Sequence, residues 1–377
     1  MSKYISKIDK ILCGYSHAES RWARLGPYYA MFPMEFACNV ISDYSNQGDY
    51  VLDPFAGRGS GTFAAAALAR KTYGIEINPV GWLYSTTKLF PAPKRDVLER
   101  LKEIVDESEK YKSDASSMNE FYITCFSPEV LRFLLAARKE LCWKEDNTDT
   151  TLMALILHYL QGKRKSSLSN QMPMAKSTSI QYSLTWWKNK GFLSPPDIDV
   201  LSFMTSRISW RYGKGRVDYS ERGSVVLSDS TKELETINSN SNGANKEVDL
   251  LFTSPPYYGV TNYHADQWLR LWMLGGLDKP TTLQEKHKGR FNSAKDYENL
   301  LDVVFGECAK MLSKKGIVYI RTDHRKYTLE TTKSALLKHF PNHTMAEVND
   351  FSTKKSQTEF LNNTTLKVRE VDLILRP

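Results

Sequence analysis

Residues 49 to 79 combine an apolar strand, a glycine-rich turn, a helix and a second strand, and this order restricts the fold more than any other stretch. The run DYVLDPFAGRGSGT starts as a strand and breaks into glycines, FAAAALARK consists of strong helix formers, and KTYGIEINP is the second strand. Two strands joined through a helix pair in parallel with a right-handed crossover. We therefore predict an α/β fold with a Rossmann-like sheet.

The segment between residues 92 and 220 has a different texture. DVLERLKEIVDESEKY carries a helical apolar stripe, and Ser127 followed by Pro128 is typical of a helix start. We expect long ordered loops over 162–196, where no clean period is visible, and a polar loop over 235–247. Strand patterns resume with GSVVLSD, VDLLFT and GIVYIRTD, and the tail ending KVREVDLILRP supplies at least one more strand. The predicted domains are a catalytic domain, 1–91 and 221–377, and a mostly helical insert, 92–220.

Positive charge is concentrated in one part of this insert. The chain has a formal net charge of +8, and residues 151 to 220 hold 10 Lys/Arg against 3 Asp/Glu, a net +7. Residues 92 to 150 hold 10 against 13, a net −3. Such a concentration favours a nucleic-acid partner, because basic side chains neutralise phosphates and release counterions. For the aromatic residues interleaved with these charges, core packing is the alternative.

Other function classes leave no trace in the sequence. The five cysteines are scattered, without a CxxC pair or zinc-ligand spacing, so free thiols and no metal are expected. No apolar run approaches the roughly 20 residues that cross a bilayer, and the first residues lack the apolar core of a signal peptide. We therefore expect a cytoplasmic protein.

The glycine loop places bare backbone at the carboxyl end of a parallel strand, where open α/β sheets bind ligands. Its spacing is GxGxG, not the GxGxxG of dinucleotide sites, and no P-loop lysine follows. S-adenosylmethionine fits better. Asp53 can accept from its ammonium group, and Glu76 can accept from both ribose hydroxyls. Asp229, which follows the third strand, suits the adenine amino group, although a helix cap or turn explains that residue equally well.

The stretch TSPPYYG follows a buried strand and brings two prolines to the same edge of the sheet. Prolines cannot donate, so the backbone there presents carbonyls only. These carbonyls and the Ser254 hydroxyl suit a substrate amino group, which needs acceptors for its two hydrogens. Tyr257 can stack on a base, which contributes about 1–3 kcal/mol. Extruding a base from duplex DNA costs roughly a few kcal/mol, which is comparable with this stacking energy.

These motifs resemble the S-adenosylmethionine-dependent DNA amino-methyltransferases of restriction–modification and phage-defence systems. The resemblance rests on DPFAGRGSGT, GIEINP and TSPPYYG, with weaker support from GPYYAMFP and from SSLSNQMPMAKSTSIQYSLTWW. It implies a class I methyltransferase sheet, S-adenosyl-L-methionine as cofactor, double-stranded DNA as partner, and a cognate restriction nuclease or defence-system partner. The catalytic residues predicted here are Ser254, Pro255, Pro256 and Tyr257. The predicted cofactor residues are Asp53, Pro54, Phe55, Ala56, Gly57, Gly59, Glu76, Ile77 and Asp229.

The predicted reaction is methyl transfer to the exocyclic N4 of cytosine in a specific DNA site. The serine form of the motif is commoner among cytosine-N4 enzymes, but their usual order, with the catalytic motif ahead of the glycine loop, is reversed here. Adenine N6 therefore stays open, as do RNA base methylation and a catalytically silent nucleic-acid-binding subunit. Cytosine-C5 chemistry needs a nucleophilic cysteine, normally just after a proline, and no cysteine here follows a proline. The predicted DNA-binding residues are Lys163, Arg164, Lys165, Lys188, Lys190, Arg211, Lys214 and Arg216.

Overall fold

The predicted first strand lies inside a sheet of seven strands in the part of the chain that the structure describes. The computed structural model describes residues 6–28, 32–240, 247–259, 263–280, 293–349 and 370–377. The strands are β1 Tyr50–Asp53, β2 Lys71–Glu76, β3 Gly223–Leu227, β4 Val248–Thr253, β5 Leu312–Asp323, β6 Thr344–Asn349 and β7 Glu370–Arg376.

The helices lie before, between and after these strands. They are α1 Lys7–Leu12, α2 Ala18–Ala23, α3 Met34–Tyr44, α4 Ser60–Ala67, α5 Pro79–Leu89, α6 Lys94–Glu107, α7 Lys112–Ser117, α8 Glu120–Cys125, α9 Pro128–Glu140, α10 Asn147–Tyr159, α11 Ile180–Asn189, α12 Val200–Tyr212, α13 Ser230–Asn240, α14 Tyr263–Met273, α15 Ala294–Met311 and α16 Lys326–His339. A 3-10 turn, Ser108–Tyr111, continues α6. The start of α9 has the predicted cap, since Ser127 accepts from the amide of Val130 at 3.3 Å.

The strand order is β3-β2-β1-β4-β5-β7-β6. Strands β1 to β5 pair in parallel, as buried strands joined through helices do, and β7 is antiparallel to both β5 and β6. The 3-2-1-4-5 portion is the order of a doubly wound Rossmann sheet. An antiparallel seventh strand beside the fifth is the mark of class I methyltransferases. The predicted fold class is therefore confirmed.

The chain divides into two compact units. One, the helical unit, consists of residues 1–28, 86–218 and 262–282, and the other, the sheet unit, of residues 29–85, 219–261 and 283–377. The core of the sheet unit consists of apolar side chains from the strands and from α13, α15 and α16, including Leu52, Leu251, Phe305, Val318 and Leu373. The role of residues 92–220 in target recognition stays a prediction.

Two predicted loops contain helices. Helix α11 lies within 162–196, where Ser179 caps it and Trp187, only 1% exposed, packs on Phe121 with ring centroids 5.6 Å apart. Helix α13 extends into 235–247 because Leu234 is buried and Ile237 packs on the sheet core. In both segments one or two buried side chains outweigh a mostly polar composition, which obscured the helical period.

Candidate active site at the carboxyl edge of the sheet

The glycine loop connects β1 to α4 and adopts, at one position, a left-handed conformation that favours glycine. Gly59 has a φ of 75° and immediately precedes α4. A Cβ added there would lie 2.5 Å from Cβ of Ser85. The loop is also fixed to its neighbours, because the Ala56 amide donates to the Ile75 carbonyl at 3.0 Å and the Gly59 amide donates to the Ala56 carbonyl at 2.8 Å. Close packing and positive φ together explain the glycine.

Asp53, the last residue of β1, is a buried carboxylate beside this loop. It is 2% exposed, and its Oδ1 accepts from the Thr253 hydroxyl at 2.6 Å and from the Phe55 amide at 3.2 Å. Burial raises the pKa of Asp53 to about 7, although these two hydrogen bonds act in the opposite direction. Among the described residues no Lys, Arg or His forms an ion pair with it. A cation placed against this carboxylate would relieve the cost of its burial.

Glu76, the last residue of β2, is a second buried carboxylate at this edge. Its Oε2 accepts from the Gly57 amide at 2.6 Å and its Oε1 from the Asn78 amide at 2.7 Å. Burial raises the pKa of Glu76 to about 7, and the charge of Asp53 contributes in the same direction. Each carboxylate oxygen has a further lone pair. Glu76 can therefore hold the loop and also accept from a pair of ligand hydroxyls.

The other predicted cofactor residues lie around the same loop, with one complication. Pro54 and Ala56 are buried, whereas Phe55 and Ile77 are partly buried. Asp229 caps α13, because its Oδ1 accepts from the amide and the hydroxyl of Thr231 at 3.0 and 2.8 Å. The helix-cap role that the sequence left open for Asp229 is therefore present, and its contact with adenine stays a prediction.

The tips of β1 and β4 lie side by side. The two strands pair in parallel, with Val51 opposite Leu250 and Leu52 opposite Leu251, and the hydrogen bond between Thr253 and Asp53 joins their ends. The sequence Ser254-Pro255-Pro256-Tyr257 begins one residue beyond this bond. The predicted catalytic motif and the glycine loop therefore lie at one edge of the sheet unit.

Tyr257 is partly buried, and its hydroxyl lies near two polar side chains. The Ser254 hydroxyl lies 3.4 Å from Oη of Tyr257, and Oη lies 3.5 Å from Oε1 of Glu370. Burial, followed by the charge of Glu370, raises the pKa of Tyr257 well above its usual value. The phenol therefore stays protonated at neutral pH.

A buried ion-pair network supports this motif, and the sequence reasoning missed it. Arg321 on β5, 3% exposed, donates to both oxygens of Asp372 on β7 at 2.7 and 2.8 Å, and to Oε2 of Glu370 at 2.9 Å. Its guanidinium carbon lies 3.4 Å from the ring centroid of Phe36. The available signal was an arginine inside the apolar run GIVYIRTD and an aspartate inside EVDLIL, since a charge buried in a strand needs a partner.

Comparison with known proteins points to the same chemistry. The family of N6 and N4 DNA methylases matches residues 6–80, which include the glycine loop and Glu76. Type II methyltransferase M.MthZI from Methanothermobacter thermautotrophicus is 45% identical over 49 residues, which are 13% of this chain and 14% of that protein. The matched stretch thus spans a small part of the curated relative.

These matches confirm the predicted resemblance to the DNA amino-methyltransferases.

Several solved methyltransferase structures are also similar to the chain. The rRNA methyltransferase AviRa from Streptomyces viridochromogenes is 11% identical, with 96% of each chain covered and a TM-score of 0.32. A SAM-dependent methyltransferase from Agrobacterium tumefaciens is 9% identical, with 91% of this chain and 60% of that chain covered and a TM-score of 0.36. At these TM-scores the likenesses carry no weight, and the class I methyltransferase fold is assigned from the strand order itself.

The predicted DNA-binding residues differ widely in exposure. The five lysines among them are all exposed in the helical unit: Lys163, Lys165, Lys188, Lys190 and Lys214. Arg164 and Arg216 are engaged within that unit, since Arg164 donates to Asn170 Oδ1 at 2.7 Å and Arg216 donates to the Pro91 carbonyl at 3.0 Å.

Arg211 departs from the rest of the predicted DNA-binding set. It is 1% exposed, its Nη2 lies 3.2 Å from Nε2 of His158, and Nη1 donates to the carbonyl of Arg21. Burial lowers the pKa of Arg211 below its usual value. A phosphate cannot reach a guanidinium enclosed in this way, so the assignment of Arg211 to DNA contact is corrected: the side chain connects elements of the helical unit.

The two cysteines of the sheet unit, Cys38 and Cys308, are poor candidates for a nucleophile. All five are free thiols. Burial raises the pKa of Cys38 to about 12 and that of Cys308 still further, so both stay protonated at neutral pH. Within the described ranges no cluster of three or more His, Cys, Asp or Glu side chains could hold a metal ion. The helices in those ranges are also too short or too polar to span a membrane.

Proposed function

We propose that this chain transfers the methyl group of S-adenosylmethionine to the exocyclic amino nitrogen of cytosine in duplex DNA. The observation that carries the proposal is the hydrogen bond of 2.6 Å between Thr253 and Asp53, which joins the two strand ends. A cofactor against the glycine loop and a base against Ser254-Pro255-Pro256-Tyr257 would occupy one edge of one sheet. Methyl transfer by direct displacement depends chiefly on that proximity.

The residues around the loop fit the proposed cofactor. Asp53 would pair with the methionine ammonium, and Glu76, whose oxygens are already fixed by backbone amides, would accept from the ribose hydroxyls. Gly59 keeps the backbone close to Ser85, where a side chain would not fit. When bound, S-adenosylmethionine supplies an electrophilic methyl group on its sulfonium sulfur. The chain then needs only to bind, orient and exclude water.

The residues after β4 would activate the target amine by holding its hydrogens. The amine lone pair of a base is delocalised into the ring, which makes the nitrogen a poor nucleophile. The Ser254 oxygen and the carbonyls around the two prolines would accept both N–H bonds and turn the lone pair toward the methyl group. Tyr257 would stack on the flipped base and offset much of its extrusion. Held in this way, the amine nitrogen would bond to the methyl carbon and displace the cofactor sulfur, and its extra proton would then pass to solvent.

The serine form of the motif favours cytosine as the base, with N4 as the methylated nitrogen. Adenine N6 is the second candidate, because here the glycine loop precedes the catalytic motif in the chain, unlike the usual cytosine-N4 order. The matching family contains both kinds of enzyme. The two exocyclic amines need the same acceptors, so the base is decided by the shape of the pocket around Tyr257.

The proposal extends to the partners of the reaction. The exposed lysines of the helical unit would neutralise phosphates of double-stranded DNA. The relative M.MthZI is named a type II methyltransferase, which supports DNA as the substrate and a cognate restriction nuclease as a partner. We further propose that the protein acts in the cytoplasm.

Mass spectrometry of nucleosides tests this function. Unmethylated duplex DNA is incubated with the protein and S-adenosylmethionine, digested, and analysed for N4-methylcytosine and N6-methyladenine. We expect N4-methylcytosine. Methyladenine as the sole product would overturn the choice of base, and methylation of RNA but not of duplex DNA would overturn the substrate. DNA with no methylated base would refute the proposed function.

A further inference from the structure

Serine is an ambiguous choice for holding an amine, because a hydroxyl both donates and accepts hydrogen bonds. In the proposed function the Ser254 oxygen must accept from the target amine, so its own hydrogen has to point elsewhere. The nearby Pro255 and Pro256 provide no amide to influence it. The structure provides an acceptor on the other side: Oη of Tyr257 lies 3.4 Å from Oγ of Ser254.

Tyr257 can accept that hydrogen only if its own hydroxyl hydrogen points away from Ser254. Oε1 of Glu370 lies 3.5 Å from Oη of Tyr257, and a carboxylate can only accept. The Tyr257 hydrogen is thereby directed to Glu370, and a lone pair of Oη remains for Ser254. Both distances are longer than the roughly 2.5–3.0 Å usual for O–H···O hydrogen bonds, and catalytic hydrogen bonds often tighten only when substrate is bound.

Glu370 is itself held by Arg321, whose guanidinium can only donate hydrogen bonds. Nη1 of Arg321 donates to Oε2 of Glu370 at 2.9 Å, while the rest of the guanidinium is occupied by Asp372. Arg321 is buried against Phe36, so it has little freedom to turn. Arginine stays charged in proteins, so the Glu370 carboxylate faces a fixed positive charge.

We infer that Glu370, fixed by Arg321, is a positioning residue that sets the hydrogen-bond direction from Ser254 through Tyr257 to Glu370 and so holds Ser254 as an acceptor for the target amine. This inference rests on the proposed function. It explains how a serine, which can also donate, acts as an acceptor at this position. A side chain whose oxygens only accept would need no neighbour to direct its hydrogen. Glu370 acts through Tyr257 and does not touch the base.

The direction of these hydrogen bonds, from Ser254 through Tyr257 to Glu370, leads to an unusual prediction for Glu370→Gln. Arg321 can only donate, so it binds the carbonyl oxygen of the introduced amide and leaves the NH₂ group facing Tyr257. The amide then donates to Oη, the Tyr257 hydrogen turns to Ser254, and the Ser254 hydrogen points at the amine. Glu370→Ala removes the partner without reversing the direction. The closer isostere is therefore expected to be the more damaging substitution.

The test compares Glu370→Gln, Glu370→Ala and Tyr257→Phe in single-turnover methyl transfer to unmethylated plasmid DNA with tritiated S-adenosylmethionine. We expect Glu370→Gln to lower the rate at saturating cofactor by about 10-fold, the effect of one misdirected hydrogen bond, and Glu370→Ala to lower it less. Cofactor affinity, measured by calorimetry, should stay at the wild-type value in all three. In the Tyr257→Phe background, Glu370→Gln and Glu370→Ala should have no further effect, because the intermediate hydroxyl is gone.

Glu347→Gln is the matched control, because Glu347 lies on the neighbouring strand β6 and pairs at the surface with Lys333 at 2.6 Å. It should leave the rate unchanged. The inference is overturned if Glu370→Gln is as active as wild type, is milder than Glu370→Ala, or adds its full effect to Tyr257→Phe. An inactive wild-type protein would instead refute the proposed function, so the two failures are distinguishable.

Discussion

Asp53 and Glu76 are carboxylates whose pKa values the structure raises far above their usual range. Both carboxylates are buried at strand ends, and burial raises the pKa of each to about 7. A bound cation or hydroxyl pair would favour their ionised forms and lower both pKa values again. Ligand binding and proton release are therefore coupled at this site.

The first prediction is that cofactor affinity rises with pH. A ligand whose ammonium pairs with Asp53 requires the ionised carboxylate, which is scarce at pH 6 and predominant at pH 7.5 when the pKa is about 7. The dissociation constant of S-adenosylmethionine should fall by about 10-fold over that range. Isothermal calorimetry at several pH values in buffers of different ionisation enthalpy measures both the affinity and the proton release. A constant affinity without proton release would contradict this role of the carboxylates.

The second prediction concerns the stability of the unliganded protein. The pKa of Asp53 is raised above its value of roughly 3.9 in the unfolded chain, so its contribution to stability is complete below pH 4 and is lost as the pH rises through about 7. Asp53→Asn removes that loss and should stabilise the protein at pH 8 by about 1–3 kcal/mol, with little effect near pH 4. Urea denaturation at both pH values measures the difference, and cofactor binding should disappear.

Asp302→Asn is a control of opposite sign for the second prediction. Hydrogen bonds from Lys338 and His339 lower the pKa of Asp302 below its usual value. Its stabilising contribution is therefore present near neutral pH and is lost in acid. We expect Asp302→Asn to lower stability at pH 8; if Asp53→Asn also lowered it, the burial of the Asp53 carboxylate would not dominate its effect.

At the scale of elements, the glycine loop depends on one tight contact as well as on backbone conformation. Gly59→Ala would place a Cβ 2.5 Å from that of Ser85 at a φ of 75°. Gly48 has a φ of 92° with no atom within 4 Å of the added Cβ, so Gly48→Ala reports the conformational cost alone. We expect about 1 kcal/mol for Gly48→Ala and about 3 kcal/mol or more for Gly59→Ala. Equal losses in thermal or chemical denaturation would exclude the steric contribution.

The sequence predicted the elements whose pattern is local, and the reason lies in how each is stabilised. β4 has the predicted bounds because Val248–Thr253 is a short apolar run that is buried on both faces. The candidate site could be located because its parts are also local patterns: the glycine loop, the acidic strand end and the Ser-Pro-Pro-Tyr motif follow one another in the sequence. Helices α11 and α13 were missed because they depend on tertiary contacts of Trp187 and Leu234.

Longer-range features could not be read from the sequence. The partnership of Arg321 with Asp372 and Glu370 depends on the antiparallel pairing of β5 with β7, which places Arg321 opposite Asp372 and Asp323 opposite Glu370. Nothing in the local pattern fixes that register. The burial of Arg211 likewise depends on packing around His158 and Arg21, whereas its sequence context resembles that of the exposed lysines.

At the scale of the whole molecule, DNA binding should depend on salt through the exposed lysines. Removing a side chain that neutralises one phosphate reduces the slope of log affinity against log salt by about 0.9. The double substitution Lys163→Ala and Lys165→Ala should therefore reduce the slope by about 2 if both side chains touch phosphates. Fluorescence anisotropy of a labelled duplex over a salt series measures the slope. Lys102→Ala, an exposed lysine in the acidic part of the helical unit, should leave it unchanged.

The same measurement separates Arg211 from the exposed lysines that we propose contact DNA. Arg211→Ala removes a buried guanidinium that is bonded within its unit, so it should lower the free energy of unfolding by about 2–4 kcal/mol. It should not change the salt slope of the protein that remains folded. A reduced slope without loss of stability would place Arg211 at the DNA after all.

The central claim is that the cofactor held beside β1 and the base held beside β4 react at one edge of the sheet unit. Single-turnover methyl transfer by Ser254→Ala, at saturating S-adenosylmethionine, tests it most directly, because Ser254 lies just beyond the hydrogen bond that joins the two strand ends. The account predicts wild-type cofactor affinity with a transfer rate lower by about 100-fold, the size typical of removing one polar group at a reacting centre. A wild-type rate of transfer to DNA would show that the base is held elsewhere, and would contradict the account.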